Sequence, residues 1–523
     1  MWVSVTAVAQ QEYSGVILDQ ETNDPLIGVS ILLEGTSKGT LSDLDGSFTI
    51  EASSGDVLVI SYVGYQTQKI ELGAETELSI ALGTDTQVLD EIVVVGYGTI
   101  KKSDLTGSVS KVSSEDIVKV PSSNAMNALQ GKVAGLQILA ASGDPGADPM
   151  VRLRGVTTLN NNNPIAVIDG VIVGDIGAIS ALNPNDIESI EVLKDASATA
   201  IYGARGAAGV VIVTTKRGEV GKPRLNVSID QSIENVANTI DVMDSREFAT
   251  YLNQINPGTY NNLDALPNTD WQDLIYQKNT PITNANISAS GGTEFTNYYI
   301  GFGYFNQAGV LPKSQLERYT GKINLGVDIS KNVNVGFDIS TQLRDKENAP
   351  GVVNTALRAW PINTPYLEDG VTYADVNGGN PLAAIEYTNS NSNSINAIGN
   401  IYANIKFLKN FTFKTSYQFN HSENKSKSFT PQYFVGPLQQ NEINDLSVGS
   451  SNNSAIIFEN TLSYYRQFDK SSLNAVIGVS SQDTKGEFLS GSTQGLIRED
   501  PLFWYLSAGD DEFEVVSNGY ERN

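Results

Sequence analysis

The 523-residue chain sets 34 Lys and Arg against 59 Asp and Glu, for a net charge of −25. That balance argues against a nucleic-acid partner, because neutralising phosphates takes clustered cations. With no cysteine the chain has no disulfide, thiolate nucleophile or zinc–thiolate site, and its single histidine, His421, lies between Asn420 and Ser422 and reads as solvated rather than catalytic.

Apolar residues make up 40% of the sequence, enough for packed cores. No run approaches the roughly 18 apolar residues of a membrane-spanning helix, so a membrane role requires a β-barrel or an anchor. Residues 1–10, MWVSVTAVAQ, end in Ala7-Val8-Ala9, the A-x-A form of a signal-peptidase site. Residues 1–9 therefore read as a signal-peptide remnant, with an N-terminal strand as the alternative. Residues 10–83 read as a small β-sandwich: Phe48, Ile50 and Ala52 alternate, 57–63 is densely apolar, and turns recur at Asp24-Pro25, Asp45-Gly46 and Gly55-Asp56. Asp43, Asp45 and Gly46 hint at a calcium loop, but the later ligands of such a loop are missing and a type I turn is the simpler reading.

The linker, 84–102, holds Asp90, Glu91, Ile92, Val93, Val94, Val95, Gly96, Tyr97 and Gly98. A β-branched run between polar flanks can add as a strand to the edge of another protein's sheet, or it can be a buried strand of the preceding domain. Residues 103–218 read as an α/β domain. Ser122 or Ser123 is the expected cap of a short helix over 124–130. Residues 189–193 form a strand, Asp195 caps an Ala-rich helix over 196–202, Gly203, Gly206 and Gly209 turn the chain, and the β-branched run 210–215 has the pattern of a strand buried on both faces. The glycine spacing is not the dinucleotide fingerprint. Arg152, Arg154 and Arg205 are candidates for structural ion pairs or for contacts along a substrate path.

From 222 onward the pattern changes to long alternating strands. Ile300, Phe302 and Tyr304 oppose Gly301 and Gly303; Ile323, Leu325 and Val327 oppose Lys322 and Asn324; Phe337 and Ile339 oppose Gly336 and Asp338. Apolar on one side and polar on the other, joined alternately by short turns and long loops, such strands fit a transmembrane barrel whose small, polar side faces a wet lumen. Tyr298, Tyr304, Tyr417 and Tyr464 suit aromatic girdles. Residues 244–254 break the pattern with a D-x-x-E start and helical spacing. Loops are expected over 346–396 and 422–452, and Trp360, Tyr366, Tyr373, Tyr433 and Trp504, in or near loops, are substrate-contact candidates. About nine strands are legible and none over 518–523, too few to close around a domain of over a hundred residues. The chain thus reads as the N-terminal half, a fragment, of a longer protein.

Several stretches carry a family resemblance: GVILDQETNDPLIGVSILLEGTSKGTLSDLDGSFTI (15–50), YVGYQTQ (62–68), LQGKVAGLQI (129–138), VRLRG (151–155), NPIAVIDGV (163–171) and NPNDIESIEVLKDASATAIYGARGAAGVVIVTTKRG (183–218). They resemble SusC/RagA-type TonB-dependent outer-membrane transporters of Bacteroidota. The resemblance implies a mainly β chain: a carboxypeptidase-regulatory-like β-sandwich (10–83) without peptidase chemistry, a TonB box at Asp90–Gly98, an α/β plug domain (103–218), and the first strands of an incomplete transmembrane antiparallel β-barrel with extracellular loops (219–523). It implies active import of large nutrients, oligosaccharides and sometimes peptides. Energy would come from TonB and its inner-membrane complex, and a SusD-like surface lipoprotein would act as lid. The barrel would sit in outer-membrane lipid with plug and N-terminal domain on the periplasmic side, and no cofactor, metal or enzymatic step is implied. The rivals are a siderophore or cobalamin receptor and a surface adhesion or signalling protein that uses the barrel as an anchor.

Overall fold

In the computed structural model the described residues are 11–522, less 21–23, 35, 37, 63–64, 66, 84–91, 96–97, 102–108, 120–121, 141, 156–161, 196–198, 469–470, 511 and 513. The signal-peptide reading and most of the linker fall outside them. The chain divides into two compact units, one of residues 1–93 and 100–104, the other of 94–99 and 105–523.

The first unit is a sandwich. One sheet holds β1 (Gln11–Asp19) between β4 (Ser47–Ala52) and β7 (Glu77–Leu82); the other runs β3 (Gly39–Leu41), β2 (Ser30–Leu33), β5 (Val57–Ser61), β6 (Gln68–Glu71). Strand alternation sends Tyr13, Ile17, Ile31, Phe48, Ile50, Leu58 and Ile60 into one core. The Asp43 carboxylate accepts from the Asp45 and Ser47 amides at 3.1 and 2.9 Å and from the Ser47 hydroxyl at 2.7 Å. Its oxygens thus close a turn, as the simpler reading expected. β8 (Ile92–Val95) and β9 (Gly98–Lys101) form a two-stranded sheet of their own.

The plug is built on a five-stranded sheet ordered β10 (Val109–Ser113), β15 (Ile187–Leu193), β16 (Val210–Thr215), β13 (Ile165–Ile168), β14 (Val171–Ile172). The central β16 is buried on both faces. Val211 and Val213 pack with Ile117, Met126, Leu129 and Ile190, while Val210 and Ile212 pack with Ile165, Val167, Leu193 and Tyr202 on the other side. Beside this sheet, β11 (Leu136–Leu139) pairs with β12 (Met150–Leu153). One local expectation is corrected. The turn over Ala125–Leu129 is a 3-10 helix capped by Asn124, whose side chain accepts from the Met126 amide at 2.9 Å, not by Ser122 or Ser123. The Ala-rich segment continues as a 3-10 run, Ala200–Ala208, with a break at Gly203, whose φ is 61°; the cap expected of Asp195 bears on residues 196–198, which lie outside the described residues. A 3-10 turn tolerates the closely spaced glycines that would weaken an α-helix.

The remaining chain forms a ten-stranded antiparallel meander, here called the wall: β17 (Gly221–Glu234), β18 (Thr280–Gly292), β19 (Thr296–Ala308), β20 (Gln315–Ser330), β21 (Val333–Glu347), β22 (Asn389–Phe407), β23 (Phe411–Thr430), β26 (Asp445–Gln467), β27 (Ser472–Gln494) and β28 (Val515–Arg522), with a small hairpin, β24 (Tyr433–Gly436) and β25 (Gln439–Asn441), between β23 and β26. β17 and β28 are its two edges. The count among the described residues is one above the expected nine, the addition being β28, whose Ser517, Asn518 and Gly519 carry no strand pattern. The expected loops are also shorter, since β22 begins at Asn389, β23 runs to Thr430 and β26 begins at Asp445. The helix expected from D-x-x-E is present as Ser245–Ile255, with a complete Asp244–Glu247 capping box.

Candidate functional site

β19 and β20, two wall strands that face the plug, alternate. In β20, Leu316, Arg318, Thr320, Lys322 and Asn324 are buried while Tyr319 and Ile323 are exposed; in β19, Gly301, Gly303 and Phe305 are buried while Ile300 and Phe302 are exposed. The polar, small face expected to line a wet lumen is here covered by the plug. The glycines are required by that contact: a Cβ on Gly303 would run into the Asn183 and Thr320 side chains, and one on Gly301 would lie 2.6 Å from an Asp186 carboxylate oxygen.

The family-like motifs supply the plug side of this contact. From NPND, the Asn183 amide donates to Asn286 Oδ1 at 2.7 Å and to Thr320 Oγ1 at 3.2 Å, and Asp186 accepts from the Tyr299 hydroxyl at 2.7 Å. Burial pushes the Asp186 carboxyl above its usual range, against the pull of Tyr299. From NPIAVIDGV, Asp169 and Gly170 take positive φ values of 48° and 88° in the tight turn between β13 and β14. That turn presents the Asp169 carboxylate to Thr215 of VTTKRG, which donates its amide at 3.0 Å and its hydroxyl at 2.6 Å.

Across the gap, Lys322 of β20, only 2% exposed at its side chain, reaches Asp169 at 3.2 Å and also pairs with Asp338 of β21; Arg217 stands 3.9 Å from Asp169. Burial alone would raise the Asp169 carboxyl, but Lys322 and Arg217 outweigh it and hold it below its usual range. The plug and wall are therefore joined by a dry, three-membered ionic bridge. Sequence reading singled out none of its members as a site. Their signal was the inward parity of Lys322 and Asp338 on strands that alternate between polar and apolar residues.

The three arginines expected at the plug separate. Arg154 pairs with Asp195 within the plug. Arg152, half-buried on β12, makes no ion pair among the described residues. Arg205 alone crosses to the wall, donating to Gln482 Oε1 of β27 at 3.2 Å. Within the expected TonB box, Ile92–Val95 is β8 and Gly98 opens β9; Asp90, Glu91, Gly96 and Tyr97 lie outside the described residues.

The aromatic candidates separate as well. Trp504 is 9% exposed, stacked on Phe429 at 4.6 Å, with its indole N–H donating to the Glu499 carbonyl at 3.0 Å, so it is core rather than a platform. Trp360 meets Phe248 edge-on at 5.0 Å. Tyr366, Tyr373 and Tyr433 form a row completed by Tyr387, with centroids 5.3, 6.0 and 4.2 Å apart in order. This row fastens the 348–388 connection to the β24–β25 hairpin. Gln439 doubles the fastening by accepting from the Asn380 amide at 2.7 Å and donating to its carbonyl at 2.8 Å. His421 is half-buried on β23.

Residues 13–94 match the CarboxypepD_reg-like domain family and residues 101–210 the TonB-dependent Receptor Plug Domain family. TonB-dependent receptor P3 of Formosa agariphila is 36% identical over 520 residues, covering 96% of this chain and 50% of that protein. TonB-dependent receptor SusC of Bacteroides thetaiotaomicron is 33% identical over 449 residues, covering 78% of this chain and 44% of that protein. Among solved structures, the RagAB peptide importer in its "open-open" state shares the fold with a TM-score of 0.73 and 26% identity, over 83% of this chain and 53% of that one. The chain spans about half the length of these relatives.

Proposed function

Because this chain belongs to the SusC/RagA-type TonB-dependent receptors, outer-membrane β-barrel proteins, we propose that it serves the energised import of a large nutrient, an oligosaccharide or a peptide, through a barrel gated by its plug. The observation that carries this reading is the plug–wall contact. A polar face lined with glycine and joined by an ionic bridge can trade its contacts for water when the plug moves, which suits a stopper better than an apolar interface whose surface would be exposed by the same motion. Nutrient would bind on the long-loop side, under a SusD-like surface lipoprotein. TonB would take hold of Asp90–Gly98 by strand addition, for which the backbone of β8 is already extended. The force would then be spent on the plug, with no covalent chemistry.

The test is deletion of residues 90–98 from the full-length receptor in its host, followed by growth on single glycans, peptides, and iron or cobalamin sources. The expected result is loss of growth on one glycan or peptide with the normal amount of receptor in the outer membrane. Loss confined to iron or cobalamin would move the protein to the rival receptor class. Unchanged growth on all of them would leave the barrel as an anchor.

A further inference from the structure

Strand register places Arg318 of β20 directly opposite Arg344 of β21, with Lys346 two residues further along the same inner face. Like charges in directly opposed cross-strand positions repel, and these are not out in solvent. Arg318 is 4% exposed. One of its terminal nitrogens donates to the backbone oxygen of Ser123 on the plug, its Nε has no partner, and its guanidinium lies 5.1 Å from the centre of the Phe305 ring. Among the described residues none of these three cations makes an ion pair.

The carboxylates nearby are committed elsewhere. Asp186 faces Arg318, but burial pushes it toward its neutral form and the Tyr299 hydroxyl already occupies it. Asp144 and Asp148 face Lys346 without closing a pair; Asp148 takes the Asn124 amide at 3.1 Å and Asp144 the Ser142 hydroxyl at 3.1 Å. Arg318 also forms part of the lining of a cavity of about 540 Å³ between the plug and the inner faces of β17 and β18, together with Lys119, Asn185, Asn284 and Asp230.

A buried guanidinium with no ion pair among the described residues is a costly feature for a fold to carry, and it stands out in a chain of net charge −25. If holding the Ser123 carbonyl were its whole task, a glutamine amide would donate there without the charge. The fork of an arginine is matched to planar or tetrahedral oxyanions, and two such side chains projecting side by side from one face of a sheet can share one group.

We propose that Arg318 and Arg344 form an anion-receiving subsite on the wall of the import path, which takes a carboxylate or sulfate group borne by the nutrient. The subsite rests on the import reading above and gives it a substrate chemistry: anionic rather than neutral. A small oxyanion reaches Arg318 through the cavity with the plug in place. The larger nutrient does so once the plug moves and Ser123 releases the guanidinium.

The test uses the purified full-length receptor with its surface partner, in chloride-free buffer, titrated calorimetrically with potassium selenate and with bromoacetate and examined by anomalous diffraction from the same anions. The expected result is one selenium or bromine site between Arg318 and Arg344. Binding should be lost in Arg318→Gln, weakened at least about tenfold in Arg344→Gln, and partly kept in Arg318→Lys, with thermal midpoints unchanged enough to show folded protein. Selenate alone at the site identifies a sulfate ester, bromoacetate alone a carboxylate, and both the shared oxyanion chemistry. No anion at the site, or equal binding in wild type and Arg318→Gln, overturns the proposal. Since binding is read without transport, it can fail while the growth test succeeds, and the reverse.

Discussion

Lys322 is almost wholly shielded from solvent, with its side chain 2% exposed, so its ammonium depends on Asp169 of the plug and Asp338 of the wall for compensation. Lys322→Met leaves two carboxylates facing each other in a dry contact. Removing one partner of a buried ionic group costs about 3–5 kcal/mol. The loss should appear as faster amide exchange and protease cleavage of the plug in the assembled receptor, with the wall strands unaffected; equal protection of the plug in wild type and variant would show the bridge to be dispensable. The same contact has a defined pH response. Asp169 is held below its ordinary carboxylate range, so its contribution is complete above about pH 4 and is lost as pH falls through the depressed value. Asp169→Asn should abolish that acid-side loosening of the plug, and in a Lys322→Met receptor, whose two carboxylates repel until one is protonated, the plug should instead tighten as pH falls.

At the scale of elements, β8 is the part whose backbone must act. If TonB pairs with it edge to edge, its N–H and C=O groups carry the affinity and its side chains little. Val94→Pro removes one donor and fixes one φ, and should abolish energised growth while leaving receptor levels normal; Val94→Thr, which keeps backbone and branching, should be silent. Growth of the proline variant at the wild-type rate would exclude strand addition there. Elements differed in how far the sequence disclosed them. β19, β20 and β21 were legible because inward Gly, Lys, Asn and Asp alternate with outward Ile, Leu, Val and Phe, a signal imposed by two unlike environments. Beyond that apolar band the signal ends: Asn389–Ser394 of β22 and Ser422–Lys427 of β23 are polar or charged on both faces, so these strand ends read as loop although their ladder is continuous. β28, with Ser517, Asn518 and Gly519 at its centre, was hidden for the same reason. The ionic bridge joins residues 169, 322 and 338 through pairing that no local window contains, and Trp504 looked like a loop aromatic because its stacking partner, Phe429, is 75 residues away (504 − 429).

At the scale of the whole molecule, the wall has two surfaces that obey opposite rules, and this can be tested by one substitution applied to each. Outward-facing Ile300, Phe302, Ile323, Ile401 and Phe458 stay between 44% and 53% exposed. In water such a continuous apolar band is an aggregation liability, whereas in a bilayer it is the solvated surface. An arginine at mid-height of this band must be carried into hydrocarbon, at a cost of about 2–4 kcal/mol near the midplane that falls toward the interfaces. Ile323→Arg in the full-length receptor should therefore lower the amount of folded, heat-modifiable protein in the outer membrane. The control is Leu438→Arg at the tip of the β24–β25 hairpin, where the side chain is 99% exposed and lies among the long connections. That variant should assemble at the wild-type level. If Ile323→Arg assembles equally well, the band does not face lipid at that height; if both variants fail, the hairpin tip is itself covered, by lipid or by a partner, and the loop side of the molecule is the part to be redrawn.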